Sequence, residues 1–430
     1  MDKLAIMGGK QAVTLSYNEL ATRPLCDDKC INAAVDLMKK GEISESPSVK
    51  VFSKRFASYI GADYALCTNN GTAALDSALF AVGVEPGDEV LVPSYTFWAT
   101  MTPILSEHAV PVFCDVDEKT FCMDPVDMEK RITDKTKAIM VVHVWGNPCD
   151  MDEIMKIAKR YNLAVIEDCS HAHGSMYHGQ KVGIIGDVGC FSFQGTKILP
   201  AGEGGILVTN NRTFYERSVA LAHYEMLSGL PEDSDYRKFA LTGMGHKYRI
   251  HPLAVAIVNR HLDDLDERNE IRDKNALYLE ELVKDLKIFR PQKVYDNAKK
   301  QYSYQYWYFD AEKAGVSTYA MLKALKAEGV SCGYCGYGKL HKSSIIKQGG
   351  AYRDCISKHE FGPLPVTEKL STHTFLAAPR FENDVPELVE QYAKAYHKIA
   401  ENLDEIAKFE KENDFSSELS SLSGRSIAML

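Results

Sequence analysis

Two short stretches hold the residues best suited to chemistry. One is CFSFQGTKILPAGEGGILVT, residues 190 to 209, which sets Lys197 between two β-like runs and beside Gly202, Gly204 and Gly205. A lysine there leaves a strand end with its amine facing a cleft. Such an amine can condense with a carbonyl to a Schiff base, the linkage that holds pyridoxal phosphate (PLP) in an enzyme. The other stretch is VIEDCSHAHG, 165 to 174, an apolar strand-like run that ends in Asp168. A carboxylate at that point can pair with the pyridinium nitrogen of PLP and keep it protonated. Taken singly, Lys197 also reads as a solvated surface charge, and Asp168 as a helix cap or turn former.

Further residues fit the same chemistry. In NNGTAALDSALFAVG, 69 to 83, a strand ends, Gly71 allows a tight turn and a helix starts at Thr72. The free N–H groups of such a helix start bind phosphate, helped by the helix dipole. A plain capped helix is the other reading. PSYTFWAT, 93 to 100, follows a strand, so Phe97 and Trp98 sit at its C-terminal end, where open α/β sheets bind ligands. One ring could stack on a pyridine ring, and the other belongs in the core. His171 could bond a phenolic or phosphate oxygen, or be an ordinary half-buried histidine. Ser192, five residues before Lys197, could reach a phosphate whose aldehyde end meets the lysine. No G-x-G-x-x-G follows a first strand, which disfavours a dinucleotide fold.

These residues need a scaffold, and the pattern supplies one. Apolar β-rich runs occur at 64–69, 89–95, 110–116, 138–146, 163–169, 188–193 and 204–209. Helix-period stretches separate several of them, such as DMDEIMKIAKRYN with Ile154, Ile157, Ala158 and Tyr161 on one face. Near-continuous apolar strands alternating with helices predict an α/β domain, a mainly parallel seven-stranded sheet covered by helices. Residues 252 to 286 read as one long helix leading into a smaller α+β domain, with a strand at 302–311 and helices at 317–329 and 385–406. The expected division is 1–260 for the large domain with the N-terminal segment and 261–415 for the smaller one. Residues 416–430 form a polar, Ser-rich tail expected to fray.

Composition bounds the rest. The chain has 430 residues, 45% of them hydrophobic and 25% charged, as in ordinary globular proteins. Its net charge of -9 argues against a generic nucleic-acid surface. No uncharged apolar run approaches a membrane span, and the start lacks a signal-peptide core, so a cytoplasmic protein is expected. The 11 cysteines are scattered, and Cys67, Cys114, Cys169 and Cys190 lie in apolar runs, as buried thiols in a reducing compartment do. Cys332 and Cys335 form a C-x-x-C without a second ligand pair, so no metal site is expected.

The chain resembles the DegT/DnrJ/EryC1/StrS family of PLP-dependent sugar and cyclitol aminotransferases, which have the aspartate-aminotransferase fold (fold type I). The resemblance spans nearly the whole chain and rests on NNGTAAL, GDEVLVPSYTFWAT, AIMVVHVWGNPCDMDEI, VIEDCSHAHG, FSFQGTK, GEGGILVTN, KYRIHPLAVAI and LPVTEKL. It implies that Lys197 is the Schiff-base lysine, Asp168 the pyridinium partner and Phe97 the stacking aromatic. Gly71, Thr72 and Ser192 would hold the phosphate, with His171 near the cofactor's O3′. It also implies an amino-acid donor, glutamate or glutamine, a keto-sugar or keto-cyclitol acceptor, and a homodimer with shared sites. Members with histidine at the lysine position are dehydratases, so Lys197 argues against that class and leaves a non-catalytic PLP-binding protein as the other alternative. Many members read Asn-Tyr-Arg where this chain has Lys247-Tyr248-Arg249, and that asparagine reaches the partner's phosphate, a task that Lys247 would inherit as a charge. Trp145 stands where tyrosine is common, and glutamine is frequent at the position of His171. The GEGG segment leans toward the cyclitol and aminohydroxybenzoate branches.

Overall fold

A computed structural model describes residues 2–335, 337–347, 362–413 and 415. The tail expected at 416–430 lies outside the described residues. The largest sheet has seven strands: β1 (Tyr64–Thr68), β2 (Glu89–Pro93), β3 (Val110–Cys114), β4 (Thr136–Val142), β5 (Ala164–Asp168), β8 (Val188–Ser192) and β9 (Gly205–Thr209). The short strands β6 (Met176–Tyr177), β7 (Gln180–Lys181) and β11 (Ala298–Lys299) make a small second sheet. A third, antiparallel sheet joins β10 (Phe289–Pro291), β12 (Gln305–Phe309), β13 (Gly333–Tyr334) and β14 (Thr374–Ala378).

The large sheet runs in the order β1-β9-β8-β5-β4-β2-β3. Its strands pair in parallel except β9, which lies antiparallel between β1 and β8. β1 therefore points the same way as β8. The C-terminal ends of β1, β2, β4, β5 and β8 meet along one edge, the edge at which such sheets bind ligands. β2, β8 and β9 are buried along their whole length, because helices cover both faces and no side need be polar. The helix Gly71–Val82 is buried on nearly every side, between the sheet and the helix Arg212–Ala222.

The seven apolar runs became the seven strands of the large sheet, each slightly shorter than its run. Three other expectations are corrected. The helix expected over 252–286 is two, Pro252–His261 and Leu265–Leu282. At the break, the Asp263 and Asp264 carboxylates pair with Arg260. The last helix is also divided, into Pro386–Glu401 and Leu403–Glu412, with Asn402 turning its side chain back onto the Lys398 carbonyl. Tyr161 is 44% exposed, unlike the buried Ile154, Ile157 and Ala158 of the same helix, because it sits in the last turn where the helix leaves the sheet. Leu4, Val13 and Ala21 of the N-terminal segment join the core of the four-stranded sheet, and Glu328 clamps the segment by accepting from the Ala5 and Ala12 N–H groups. Among the described residues no helix is long and apolar enough to cross a membrane.

Candidate active site

At the end of β1, Asn70 caps the helix Gly71–Val82, accepting from the Ala73 N–H at 2.8 Å. The Gly71 and Thr72 N–H groups find no partner among the described residues. Gly71 is required by close approach. A Cβ there would lie 2.7 Å from Cβ of Ser192, so the helix start and the end of β8 touch backbone to backbone. A Cβ on Gly205 would meet the Asn70 carbonyl at 2.4 Å, and β9 presses on the same turn. A helix N-terminus, two open N–H groups and the Ser192 hydroxyl thus form a small anion cradle.

Asp168 ends β5 and is buried. The Thr100 hydroxyl donates to its Oδ2 at 2.9 Å and the Ser170 N–H to its Oδ1 at 3.0 Å. Both donors favour a carboxylate, which suits it to face a cation. Lys197 is half-buried in the turn after β8. Burial, with a smaller push from Arg380, holds its amine below the usual lysine range, while Tyr304 and Asp168 act to retain the proton. More of the amine is then unprotonated and nucleophilic at neutral pH.

His171 is buried three residues beyond Asp168 and accepts from the Trp145 N–H at Nδ1 (3.3 Å). Its ring proton therefore sits on Nε2, which lies 3.1 Å from the Tyr337 hydroxyl. Burial, then Lys197, His173 and Arg380, hold this ring well below the ordinary histidine pKa, so it is neutral. Trp145 adopts a left-handed backbone (φ 53°), which costs a non-glycine residue about 1–2 kcal/mol. Packing secures it: the indole stacks on Tyr306 at 4.1 Å and on Tyr337 at 5.4 Å, and Tyr337 in turn stacks on His171.

Below the edge, Glu167 is fully buried and accepts from His143 Nε2 and from the Gly183, Ile185 and Gly186 N–H groups. His143 Nδ1 accepts from the Cys149 N–H. His143, Glu167 and Cys169 cluster within 4.8 Å, but these bonds already engage the histidine and the carboxylate. The pair ties the end of β4 to β5 and to the loop before β8.

Phe97 is half-buried against the large core and its ring is 4.8 Å from that of Trp98, which is 46% exposed. Lys247 stands apart from the other seven positions. It is exposed, with Nζ 5.7 Å above the Tyr224 ring. Its neighbour Tyr248 bonds the phosphate-type turn, accepting the Asn69 N–H at 2.7 Å. The structure also brings in residues that the sequence did not single out. Tyr304, Tyr306 and Tyr337 line the aromatic wall, and Thr100 bonds Asp168. Arg380 shares with Lys197 a cavity of about 350 Å³. The alternate tyrosines of YSYQYWYF were the available signal for the wall. Arg380 had none, being remote in sequence from every other site residue.

Comparison with known proteins bears on family and fold. Residues 24–377 match the DegT/DnrJ/EryC1/StrS aminotransferase family. A Micromonospora echinospora protein, provisionally named L-glutamine:3-amino-2,3-dideoxy-scyllo-inosose aminotransferase, is 31% identical over 427 residues, 94% of this chain and 99% of that one. GDP-perosamine synthase of Escherichia coli O157:H7 is 40% identical over 251 residues, 57% of this chain and 67% of that one. The X-ray structure of an aminotransferase from Psychrobacter cryohalolentis superposes with a TM-score of 0.80 at 25% identity, covering 90% of this chain and 100% of that one. With a family match over residues 24–377 and an α/β architecture that superposes on a solved aminotransferase, this chain belongs to the DegT/DnrJ/EryC1/StrS aminotransferase family.

Proposed function

We propose that this protein is a homodimeric PLP-dependent aminotransferase that moves an amino group from glutamine or glutamate to a keto group of a sugar, nucleotide-sugar or cyclitol. The observation that carries the reading is the meeting of Lys197 and Asp168 at one sheet edge, beside a helix start with open N–H groups. The residues present fit PLP. The Gly71–Ser192 cradle has the donors for a phosphate, the open Gly71 and Thr72 N–H groups and the Ser192 hydroxyl, with no side chain on Gly71 beside them. Asp168 offers a carboxylate held by two donors to a ring nitrogen, and half-buried Phe97 offers a ring face. When bound, PLP supplies the electron sink that makes the donor's α-proton acidic.

The chain's own residues do the rest. Gly71, Thr72 and Ser192 hold the phosphate, and Asp168 orients the ring and keeps its nitrogen protonated. His171, neutral with its proton on Nε2, donates toward the ring oxygen. With PLP held there, the Lys197 amine would carry the proton away from the donor's α-carbon. The lowered pKa of Lys197 keeps it ready as a base. The amino donor follows from the glutamine in the name of the Micromonospora relative, and the two acceptor classes from that relative and the perosamine synthase.

The test is isotopic. Protein supplied with PLP and glutamine labelled with nitrogen-15 at the α-amine should pass the label to a keto-sugar or keto-cyclitol from a panel of both classes. Borohydride reduction followed by peptide mapping should fix a pyridoxyl group on Lys197. Label that never leaves glutamine across the panel, or a pyridoxyl group on another lysine, would reject the reading.

A further inference from the structure

We propose that Arg268 is a positioning residue for Lys197, holding the lysine turn and, through His261, fastening the N-terminal segment over the lysine cavity. The inference rests on the aminotransferase reading above. Lys197 lies five residues past β8, so its strand does not aim it. Bonds within and around the turn do. The Lys197 N–H donates to the Gln194 carbonyl at 2.8 Å, and the Thr196 N–H and hydroxyl donate to Gln194 Oε1 at 2.8 and 2.7 Å. The two carbonyls that flank the lysine accept from far along the chain. That of Thr196 takes the Tyr304 hydroxyl at 3.1 Å, and that of Ile198 takes Arg268 Nη2 at 3.4 Å.

Arg268 is buried, in the first turn of the helix Leu265–Leu282. Two carboxylates stand near it, yet both are long contacts: Asp264 Oδ1 is 3.6 Å from Nη1 and Glu382 Oε2 is 3.7 Å from Nη2. Its closest acceptor is a neutral group, because Nη1 donates to His261 Nδ1 at 3.0 Å. A guanidinium is a rigid planar fork, so a bond at one nitrogen sets the direction of the other. The His261 bond thus aims Nη2 at the Ile198 carbonyl. His261 is tied in turn, its Nε2 donating to the Leu25 carbonyl at 2.8 Å. Burial, then Arg268, hold this ring below the ordinary histidine range. The ring is therefore neutral, and Nδ1 keeps the lone pair that Arg268 needs.

Leu25 belongs to a stretch that lines the cavity of Lys197, together with Thr22, Arg23, Pro24 and Asp27. On one side this stretch is fastened to the loop after β14. The Glu382 N–H donates to the Ala21 carbonyl and Asn383 Nδ2 to the Leu20 carbonyl, both at 2.8 Å. On the other side Asp27 caps the helix Asp28–Lys39, accepting from the Cys30 N–H at 2.8 Å. Between these fixings lies the Leu25 carbonyl that His261 holds. The Leu25 side chain reaches within 4.0 Å of where a Cβ on Gly195 would stand, so the stretch rests on the lysine turn itself. One arginine–histidine bridge therefore serves both the cover of the cavity and the turn beneath it. The amine is aimed when the cavity is covered.

Schiff-base formation reads the placement of the amine directly: the Lys197 nitrogen joins the aldehyde carbon of PLP, and the aldehyde oxygen leaves as water. Full-length protein freed of PLP is mixed with saturating PLP, the rate is followed by absorbance, and the product is fixed with borohydride and mapped. Pyridoxine 5′-phosphate, with an alcohol in place of the aldehyde, fits the same pocket without bonding the lysine and is the control. Arg268→Lys keeps the charge but not the fork. Both it and Arg268→Leu should form the Schiff base at least about tenfold more slowly than the wild type, with pyridoxine phosphate affinity little changed. His261→Phe, a ring without nitrogens, should slow the step too. The double variant Arg268→Lys/His261→Phe should be no slower than the slower single one. A wild-type rate in Arg268→Lys overturns the proposal. So does an equal loss of pyridoxine phosphate affinity, as expected of a residue that only supports the fold, and so do slowdowns that multiply in the double variant. Failure of the aminotransferase reading looks different: the wild-type protein itself would leave Lys197 unlabelled and consume no glutamine, whatever the variants do.

Discussion

At the scale of single residues, neutral and charged states decide the chemistry. Asp168 meets two hydrogen-bond donors and has no neighbouring carboxylate bonded to it. A charge-assisted bond to a protonated ring nitrogen is worth about 1.5–3 kcal/mol. Asp168→Asn should therefore cut turnover about 10- to 150-fold while the thermal midpoint changes little. Near-normal turnover in that variant contradicts the role. The histidines behave oppositely. His173 is pushed down to about 3, by burial first and then by Lys197, and His171 also lies well below the ordinary value. The unfolded chain binds protons on these rings near pH 6.5, while the folded chain does not until far lower. Stability is therefore greatest above about pH 6.5 and falls as pH drops from there toward 3. The urea midpoint measured between pH 7.5 and 5 should decline, and His173→Gln should flatten the decline. A midpoint that does not move across this range would count against buried, neutral rings.

At the scale of elements, the site depends on how closely β8 approaches the helix Gly71–Val82. No positive φ is required at Gly71. What excludes a side chain is Ser192, whose Cβ and Cα would lie 2.7 and 3.2 Å from the new methyl. Both partners are backbone-bound, so neither can rotate away. Gly71→Ala should destabilise the fold by about 1–3 kcal/mol, in the range of overpacking substitutions. It should weaken PLP retention more than the loss of the Ser192 hydroxyl does, because it moves the N–H groups as well. Equilibrium dialysis of PLP against Gly71→Ala and Ser192→Ala compares the two. Equal retention in both would mean that the helix start does not hold the phosphate. The buried Glu167 serves the same edge from below, since it joins the loop before β8 to the strand that presents Asp168.

At the scale of the whole molecule, Lys247 is exposed, while its neighbour Tyr248 bonds the phosphate-type turn through its carbonyl and the helix that follows through its hydroxyl on Asp76. An exposed cation beside the site's rim suits a residue that serves the partner subunit. Lys247→Ala should then release PLP more readily. Mixing it with Lys197→Ala, which is inactive alone, should restore activity. Each heterodimer would hold one site with an intact Lys197 from one subunit and an intact Lys247 from the other, and so recover up to about half of wild-type activity, the share of one good site in two. No recovery after confirmed subunit exchange, or an active monomer, would refute the shared site.

The sequence by itself determined the elements and the order of the chemistry along them. Each strand of the large sheet is an apolar run bounded by turn residues, and helices such as Met151–Tyr161 show a 3.6-residue pattern, so both are written locally. Lys197, Asp168, Ser192 and Gly71 were legible for the same reason, since each ends a strand or follows within five residues of one that the run itself marks. The breaks at 262–264 and Asn402 were not legible, because side-chain bonds made in the folded state set them. Only the tertiary structure could decide what surrounds Lys197. Tyr304, Tyr337 and Arg380 come from the smaller sheet and its loops, more than a hundred residues downstream, and no periodicity links them to FSFQGTK. Their meeting depends on how the four-stranded sheet and the N-terminal segment pack beside the large one. The same packing leaves the Arg380 guanidinium short of a partner, because a group's hydrogen-bond balance is a property of everything around it and of no stretch of sequence alone.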